Sequence, residues 1–239
     1  MPNGGYVLAV ALAGVRAAVK HPHPMTVTAH YLGPGRHGDV DVEVDVLKEG
    51  RSMSTATVRL VQDGRVRLTA LASFGDLDAQ SGPTLVLAQP PDLPPPGACA
   101  GPEDRPFPAG FPAIPAIMQR VEFRASPASV ERLRDRAGPP LLEGWMRLRD
   151  GRPLDPQCLP LLCDAAPPAL FAALETGWVP TLELTVHVRG IPAPGWLRAA
   201  FSTQVIVDGI FEEDCQLWDE TGRLVAMSRQ LARILSPPA

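Results

Sequence analysis

Val27-Thr28-Ala29-His30-Tyr31 is read again as Leu184-Thr185-Val186-His187-Val188, with Thr28 and His30 each standing 157 positions before their counterparts. The turn Gln62-Asp63-Gly64-Arg65 returns as Glu220-Thr221-Gly222-Arg223, Arg65 and Arg223 lying 158 apart, and Gly50 and Gly209 mark strand ends 159 apart. An offset that stays nearly constant through three strands and two turns reads as an internal duplication, and such a repeat bounds the fold before any local element is assigned. Two copies of one module build a site at their junction. The positions at which the copies differ are where function is sought.

Upstream of the first copy, Asn3 to Lys20 carries Val7, Leu8, Val10, Ala11, Leu12 and Val15 around most of a helical surface, which predicts a buried helix opened by Gly4 and Gly5. Downstream, Asp39-Val40-Asp41-Val42-Glu43-Val44-Asp45-Val46 alternates strictly, so one face of a half-buried antiparallel strand is valine and the other acidic. Ser52 to Val61 follows as a Thr- and Val-rich strand, and Asp63-Gly64 turns the chain into Val66 to Ala70. The first module is a helix and a meander of about four strands.

Between Pro83 and Pro115 fall 11 of the chain's 28 prolines. Proline fixes φ and donates nothing to a ladder, so this stretch reads as a surface connector. The boundaries that follow are 1–80 for the first module, 81–117 for the connector and 118–239 for the second module. In the second, Gln119 to Arg124 is a strand, Pro127 to Ala137 a charged helix and Leu141 to Leu148 a strand. Leu159 to Leu174 is an apolar helix broken after Ala166 by Pro167-Pro168, and three or four long strands end at Leu235.

Composition narrows the function classes. A formal net charge of −4 gives no electrostatic reason to expect nucleic acid or an anionic membrane. No stretch reaches the apolar length of a membrane span, and no basic segment opens a signal peptide. The cysteines Cys99, Cys158, Cys163 and Cys215 have no metal-ligand spacing, so reduced thiols in a cytoplasmic protein are expected.

The run Leu161-Leu162-Cys163-Asp164-Ala165-Ala166-Pro167-Pro168-Ala169 is followed by Trp178-Val179-Pro180-Thr181-Leu182-Glu183. Later come Gly209-Ile210-Phe211-Glu212-Glu213-Asp214 and Val225-Ala226-Met227-Ser228-Arg229-Gln230. With Pro2-Asn3-Gly4-Gly5-Tyr6 and Arg51-Ser52-Met53-Ser54 in the first module, these resemble the TesB-like (type II) acyl-CoA thioesterases of the thioesterase-like superfamily. The resemblance covers nearly the whole chain, weakening in the connector and the charged segment after it. It implies an α+β double hotdog: two fused modules, each a helix wrapped by a curved antiparallel sheet. It also implies hydrolysis of acyl-CoA to free acid and CoA with no cofactor, and it assigns Asp164, Thr181 and Gln230 to holding and polarising the attacking water. A strand ahead of the Asn3-Gly4-Gly5 helix belongs to the family pattern. The chain opens at Met1-Pro2 without that strand, which leaves two expectations open: a start further upstream, or an incomplete first module with an open sheet edge.

Read without the family, the same residues leave alternatives open. Asp164 lies in the most apolar helical segment of the second module, and a carboxylate there needs a partner, either a backbone donor or a reactant. Gln230 shares strand parity with Ala226 and Ala232, so its amide faces the apolar side and is either a structural tie or a water ligand. Thr181 falls in parity with Glu183, Thr185 and His187, away from that side, and periodicity does not decide where it points. A thioester carbonyl is electrophilic enough for carboxylate-activated water to attack directly, with the oxyanion met by N–H groups at a helix N-terminus; Gly4 and Gly5 are the candidate substrate contacts there, or packing glycines.

His21 and His23 form a restrained His-Pro-His-Pro turn with no third metal ligand nearby, and His30 and His187, being repeat-equivalent, suggest a shared structural role. No Gly-x-Ser-x-Gly elbow occurs, and Cys163 reads as an inert thiol. A hotdog hydratase would need a His near Asp164, which is missing from the sequence around it. The other reading kept is a non-catalytic acyl-CoA or acyl-carrier binding protein on the same fold. Chain length of the acyl group and homo-oligomer formation are not legible.

Overall fold

The computed structural model describes residues 2–104, 116–136 and 138–235. Helix α1 (Gly4–Ala18) starts at Asn3, whose side chain accepts the Tyr6 N–H at 3.0 Å. Leu8, Ala11, Leu12 and Val15 are fully buried, whereas Tyr6, Ala13 and 16–18 are exposed. The helix therefore buries one stripe rather than most of its surface.

Four strands follow: β1 (His23–Tyr31), β2 (Asp41–Glu49), β3 (Met53–Gln62) and β4 (Arg65–Gly75). After the connector come β5 (Val121–Ala125), α2 (Pro127–Asp135), β6 (Leu141–Leu148) and α3 (Leu159–Leu162). The chain ends in β7 (Thr181–Val188), β8 (Leu197–Ser202), the two-residue β9 (Ile206–Val207), β10 (Ile210–Trp218) and β11 (Leu224–Arg233). All belong to one antiparallel sheet ordered β2-β3-β4-β1-β7-β11-β10-β8-β6-β5, with β9 on β10. The first module has the four strands expected, but β1 closes back on β4 instead of running beside β2. This is the α+β double hotdog: helices packed on one side of a sheet that runs without interruption through both modules, over a shared apolar core.

The repeat is visible in the ladders. Thr28 pairs with Thr185, its own counterpart, and their hydroxyls are 2.9 Å apart. A residue that meets its repeat mate lies on a pseudo-twofold axis, so the seam between β1 and β7 is that axis. Val27 pairs with Ala72 as Leu184 pairs with Gln230, and the same extra residue interrupts both strands, Met25 in β1 and Leu182 in β7. The Gly50–Gly209 match is out of register by two: Ser54 opposite Phe74 corresponds to Phe211 opposite Ala232, which sets Gly209 against Ser52.

The two halves differ at their outer ends. β8 lies between β10 and β6, and its Leu197, Ala199 and Phe201 are buried. Its counterpart β2 has only β3 beside it, and Val42 and Val46 stay 36% and 37% exposed although their ladder partners Leu60 and Ala56 are buried. Of the connector, Pro94 accepts the Trp145 indole N–H at 2.8 Å and Ala100 bridges to Ala125; residues 105–115, with the prolines they hold, lie outside the described residues.

Candidate active site

The helix expected over Leu159 to Leu174 is much shorter than its apolar run. α3 stops at Leu162, Asp164 stands in the turn beyond it, and only a 3-10 turn (Ala169–Ala172) resumes. Beyond Cys163 the turn tightens to i→i−3 bonds, Asp164 N–H to the Leu161 carbonyl at 3.2 Å and Ala165 N–H to the Leu162 carbonyl at 3.4 Å, and Pro167-Pro168 keep the helix from resuming. Neither proline has an N–H to return to the carbonyls four residues earlier, those of Cys163 and Asp164, and Ala166 is steered away from helical φ/ψ. The Asp164 carbonyl finds its donor elsewhere, in the Asn3 side-chain amide at 2.8 Å.

That contact brings the second module's turn onto the N-terminus of the first module's helix. Asp164 Oδ2 accepts the Gly5 N–H at 2.6 Å and the Asn3 side-chain amide at 3.2 Å, so the carboxylate sits on the positive end of α1. The approach demands glycine. A Cβ on Gly5 would lie 2.7 Å from the Leu161 carbonyl oxygen and 3.0 Å from Asp164 Cβ, and one on Gly4 would lie 2.9 Å from Asp164 Oδ2. The Gly5 N–H considered for substrate is thus taken by Asp164. The Gly4 carbonyl accepts the Tyr31 hydroxyl at 3.1 Å.

Thr181 reaches the site because strand parity fails just after it. Glu183 pairs with Leu231 but Thr181 pairs with Ala232, leaving Leu182 as a bulge. One inserted residue turns the strand over, so Thr181 faces inward with Ala232 although it shares odd numbering with the outward Glu183 and His187. Its hydroxyl donates to Gln230 Oε1 at 2.8 Å, and Thr181 is among the groups that hold the Asp164 carboxyl down. Gln230 is 6% exposed and faces the interior as its parity indicates.

Glu213 was not singled out by the sequence reading. It lies beside Gln230 in the β10–β11 ladder, 4% exposed, and accepts Gln230 Nε2 at 2.8 Å and the Ala169 N–H at 2.6 Å. The signal was present: a carboxylate on the strand face that also carries Phe211, Cys215 and Leu217. Asn3, the Gly5 amide and Tyr31 were likewise missed as partners, because nothing local ties residues 161, 159 and 133 positions away to Asp164.

Burial dominates the electrostatics. It pushes the Asp164 carboxyl up to about 6, against the lowering pull of the Gly5 N–H, Asn3 and Thr181. Glu213 is pushed up to about 8 by burial, opposed by Ala169 and Gln230 and reinforced by the charges of Asp164 and Asp214. Burial, then the charges of Asp164 and Glu183, raises the Tyr31 phenol well above its ordinary value, so it remains a donor.

The other sequence candidates lie elsewhere. His21 Nδ1 is 2.7 Å from Ser54 Oγ and its Nε2 3.2 Å from the Arg51 carbonyl, while His23 accepts the Leu77 N–H at 3.1 Å. His187 lies 3.1 Å from Thr26 Oγ1 on the outer face of the seam. All four cysteines are buried and free, and no group of three metal-ligating side chains gathers among the described residues.

Comparisons with known proteins agree with this architecture module by module. The model of the acyl-CoA thioesterase N-terminal domain matches residues 1–75, and that of the C-terminal domain residues 90–234. A solved structure described as a candidate thioesterase II from Thermobifida fusca superposes with a TM-score of 0.85 at 36% identity, over 98% of this chain and 86% of that one. A hot dog protein of unknown function from Alicyclobacillus acidocaldarius gives 0.83 at 26% identity, over 99% and 88%. An uncharacterised protein of Mycobacterium tuberculosis is 29% identical over 97% of this chain and 85% of its own. The thioesterase-like protein TwmA of Talaromyces wortmannii is 27% identical over 99% and 84%. With both domain models matched in order and the double hotdog in place, the chain belongs to the TesB-like acyl-CoA thioesterase family.

Proposed function

We propose that this chain hydrolyses acyl-CoA thioesters to the free acid and CoA, with Asp164 as the base that activates water and Thr181 and Gln230 orienting that water. The observation that carries the reading is a convergence: three polar side chains from three separate segments gather at the margin of the apolar core, Gln230 buried and Asp164 and Thr181 partly so, and desolvation pushes the carboxyl among them up to about 6. A carboxyl pushed up to about 6 is ionised at neutral pH yet basic enough to take a proton as the water's oxygen attacks.

In the reaction the water proton passes to Asp164 and its oxygen bonds to the thioester carbon. The carbonyl becomes an oxyanion, and its collapse breaks the C–S bond, with the departing sulfur taking the proton back. The Gly5 N–H is engaged with Asp164, so the donor for the oxyanion is the neighbouring N–H of Gly4, which has no protein acceptor among the described residues and lies at the positive end of α1.

The test is the initial rate of hydrolysis across a panel of acyl-CoA lengths, wild type against Asp164→Asn. Loss of turnover with retained CoA-ester binding supports the reading; an undiminished rate sinks it. Binding without turnover by the wild-type chain would instead favour an acyl-CoA or acyl-carrier binding protein.

A further inference from the structure

Gln230 has two ends that look alike in outline and differ in chemistry. Its Oε1 accepts and its Nε2 donates, so whichever end faces Thr181 decides what the Thr181 hydroxyl, with a single proton, is able to do. Some neighbour has to fix that choice. We propose that Glu213 is a positioning residue: by accepting Gln230 Nε2 it holds the amide with Oε1 toward Thr181 and so sets the direction of hydrogen bonding through the site. The inference rests on the proposed reading of that site as a thioesterase centre.

The geometry leaves one arrangement for the ionised carboxylate. Glu213 Oε2 accepts the Ala169 N–H at 2.6 Å and Oε1 accepts Gln230 Nε2 at 2.8 Å. A carboxylate has no proton to give, so Gln230 presents its NH2 to Glu213 and its oxygen to Thr181, which donates at 2.8 Å. The Thr181 proton is then engaged with Gln230, and its lone pairs are left for a donor, the attacking water, while Asp164 is held down chiefly by the Gly5 N–H and Asn3. With the amide reversed, Nε2 would donate to Thr181, and Thr181 would in turn donate to Asp164 and weaken it as a base. The groups packed against Glu213 are Gln230 from β11, Ala169 and Asp164 from the turn segments and Cys215 from its own strand, while Asp214, on the opposite strand face and bound to Arg229, acts only through its charge. Burial first, and then the charges of the two aspartates, raise its proton affinity, so the orienting form is the one that alkaline pH favours.

The decisive variant is Glu213→Gln. Its single carbonyl oxygen still accepts the Ala169 N–H, but its NH2 now meets Gln230, which has to turn its oxygen away from Thr181. Every hydrogen bond survives and the direction reverses. The expected result is a fall in kcat of about 10- to 100-fold, with KM within about twofold and the melting temperature not lowered. Glu213→Ala should lose a similar share of kcat while also melting earlier. Unchanged kcat in Glu213→Gln, or a loss matched by earlier melting, overturns the proposal. A measurement on the wild-type chain stands whether or not the variants fold. With 15N-glutamine labelling, the Gln230 amide, identified by its loss in Gln230→Glu, should show one strongly downfield proton at alkaline pH. Two ordinary amide shifts there would refute the orientation. Asp164→Asn assayed alongside separates the cases: if it is inactive while Glu213→Gln is not, the thioesterase reading stands and the role of Glu213 falls.

Discussion

The two modules share a backbone and differ in what they place on it. The 157-residue offset sets Val7 against Asp164, and the ladders match Pro24 with Thr181, Ala56 with Glu213 and Ala72 with Gln230. Four apolar positions in one copy are four polar ones in the other. The first module takes the packing solution, with a fifteen-residue helix over small and branched side chains. The second keeps less helix: α3 has four residues, and Asp164 sits in the turn between its end and the two prolines. Neither copy completes the site, since Asn3 and Gly5 of the first hold the carboxylate of the second. Duplication here yields one copy whose intact helix terminus serves as an anion seat for the other.

The sharpest way to break that comparison is at the paired positions. Asp164→Asn should reduce kcat by about 100- to 10,000-fold, the usual range for a lost general base, while Val7→Leu at the matched point should leave the rate nearly unchanged. Because the base works ionised, wild-type kcat should rise with pH through about 6, and rise again through about 8 as Glu213 takes its orienting form. A rate flat from pH 5 to pH 8, roughly the range bracketing that group, would show that another residue activates the water.

Much of this contrast was legible beforehand, and the reasons for the rest are physical. The alternating valines of β2 and the Asp63-Gly64 turn are local signals, and they placed the starts of β2, β3 and β4 within a residue or two, although β2 runs on to Glu49 and β4 to Gly75, past the expected ends at Val46 and Ala70. Strand order is not local: nothing between His23 and Tyr31 says that β1 pairs with β4 on one side and β7 on the other. Thr181 shows how a parity argument fails, since Leu182 as a bulge inverts every inference drawn from alternation. Pro167-Pro168 announced a break after Ala166, but the helix ended at Leu162, in i→i−3 turns at Asp164 and Ala165 that no proline dictates. Glu213 went unremarked because its meaning lies in Gln230, a neighbour across the ladder rather than along the chain.

A second comparison is between matched outer strands. Phe201 of β8 is 1% exposed and packs edge-on against Phe123, whereas its counterpart Val44 is only partly buried on the sheet's last strand. Truncation to alanine should cost about 3–5 kcal/mol at Phe201, the usual range for a buried phenylalanine. At Val44 it should cost no more than about 1 kcal/mol, because water already reaches the site. Chemical denaturation of both variants decides it, and equal losses would mean that the β2 edge is covered in solution.

The polar positions carry a stability cost that depends on pH. Asp164 and Glu213 hold their protons more tightly in the folded chain than in the unfolded one. Their contribution is therefore fully present below the ordinary carboxylate range and is lost as pH rises, through about 6 for Asp164 and about 8 for Glu213. Melting temperature should fall between mildly acidic and alkaline pH, and Asp164→Asn should flatten the lower part of that fall and gain on the order of 1–3 kcal/mol at alkaline pH. A wild-type curve that rises over the same window would contradict the burial of both groups.

The smallest effect tests the axis itself. Thr28 and Thr185 face each other across the seam as repeat mates, so perfect symmetry would make Thr28→Val and Thr185→Val equally harmful. The hydroxyls are not equivalent, however, because Thr185 also donates to Glu183 Oε1 at 2.6 Å. With its proton used there, Thr185 accepts from Thr28. Thr28→Val removes one hydrogen bond and should cost about 0.5–1.5 kcal/mol, while Thr185→Val removes two and leaves a carboxylate oxygen short of a donor, which should make it worse by about 1 kcal/mol. Equal losses would mean that the Glu183 contact contributes nothing, and that at the seam, unlike at the site, the two copies still behave as one.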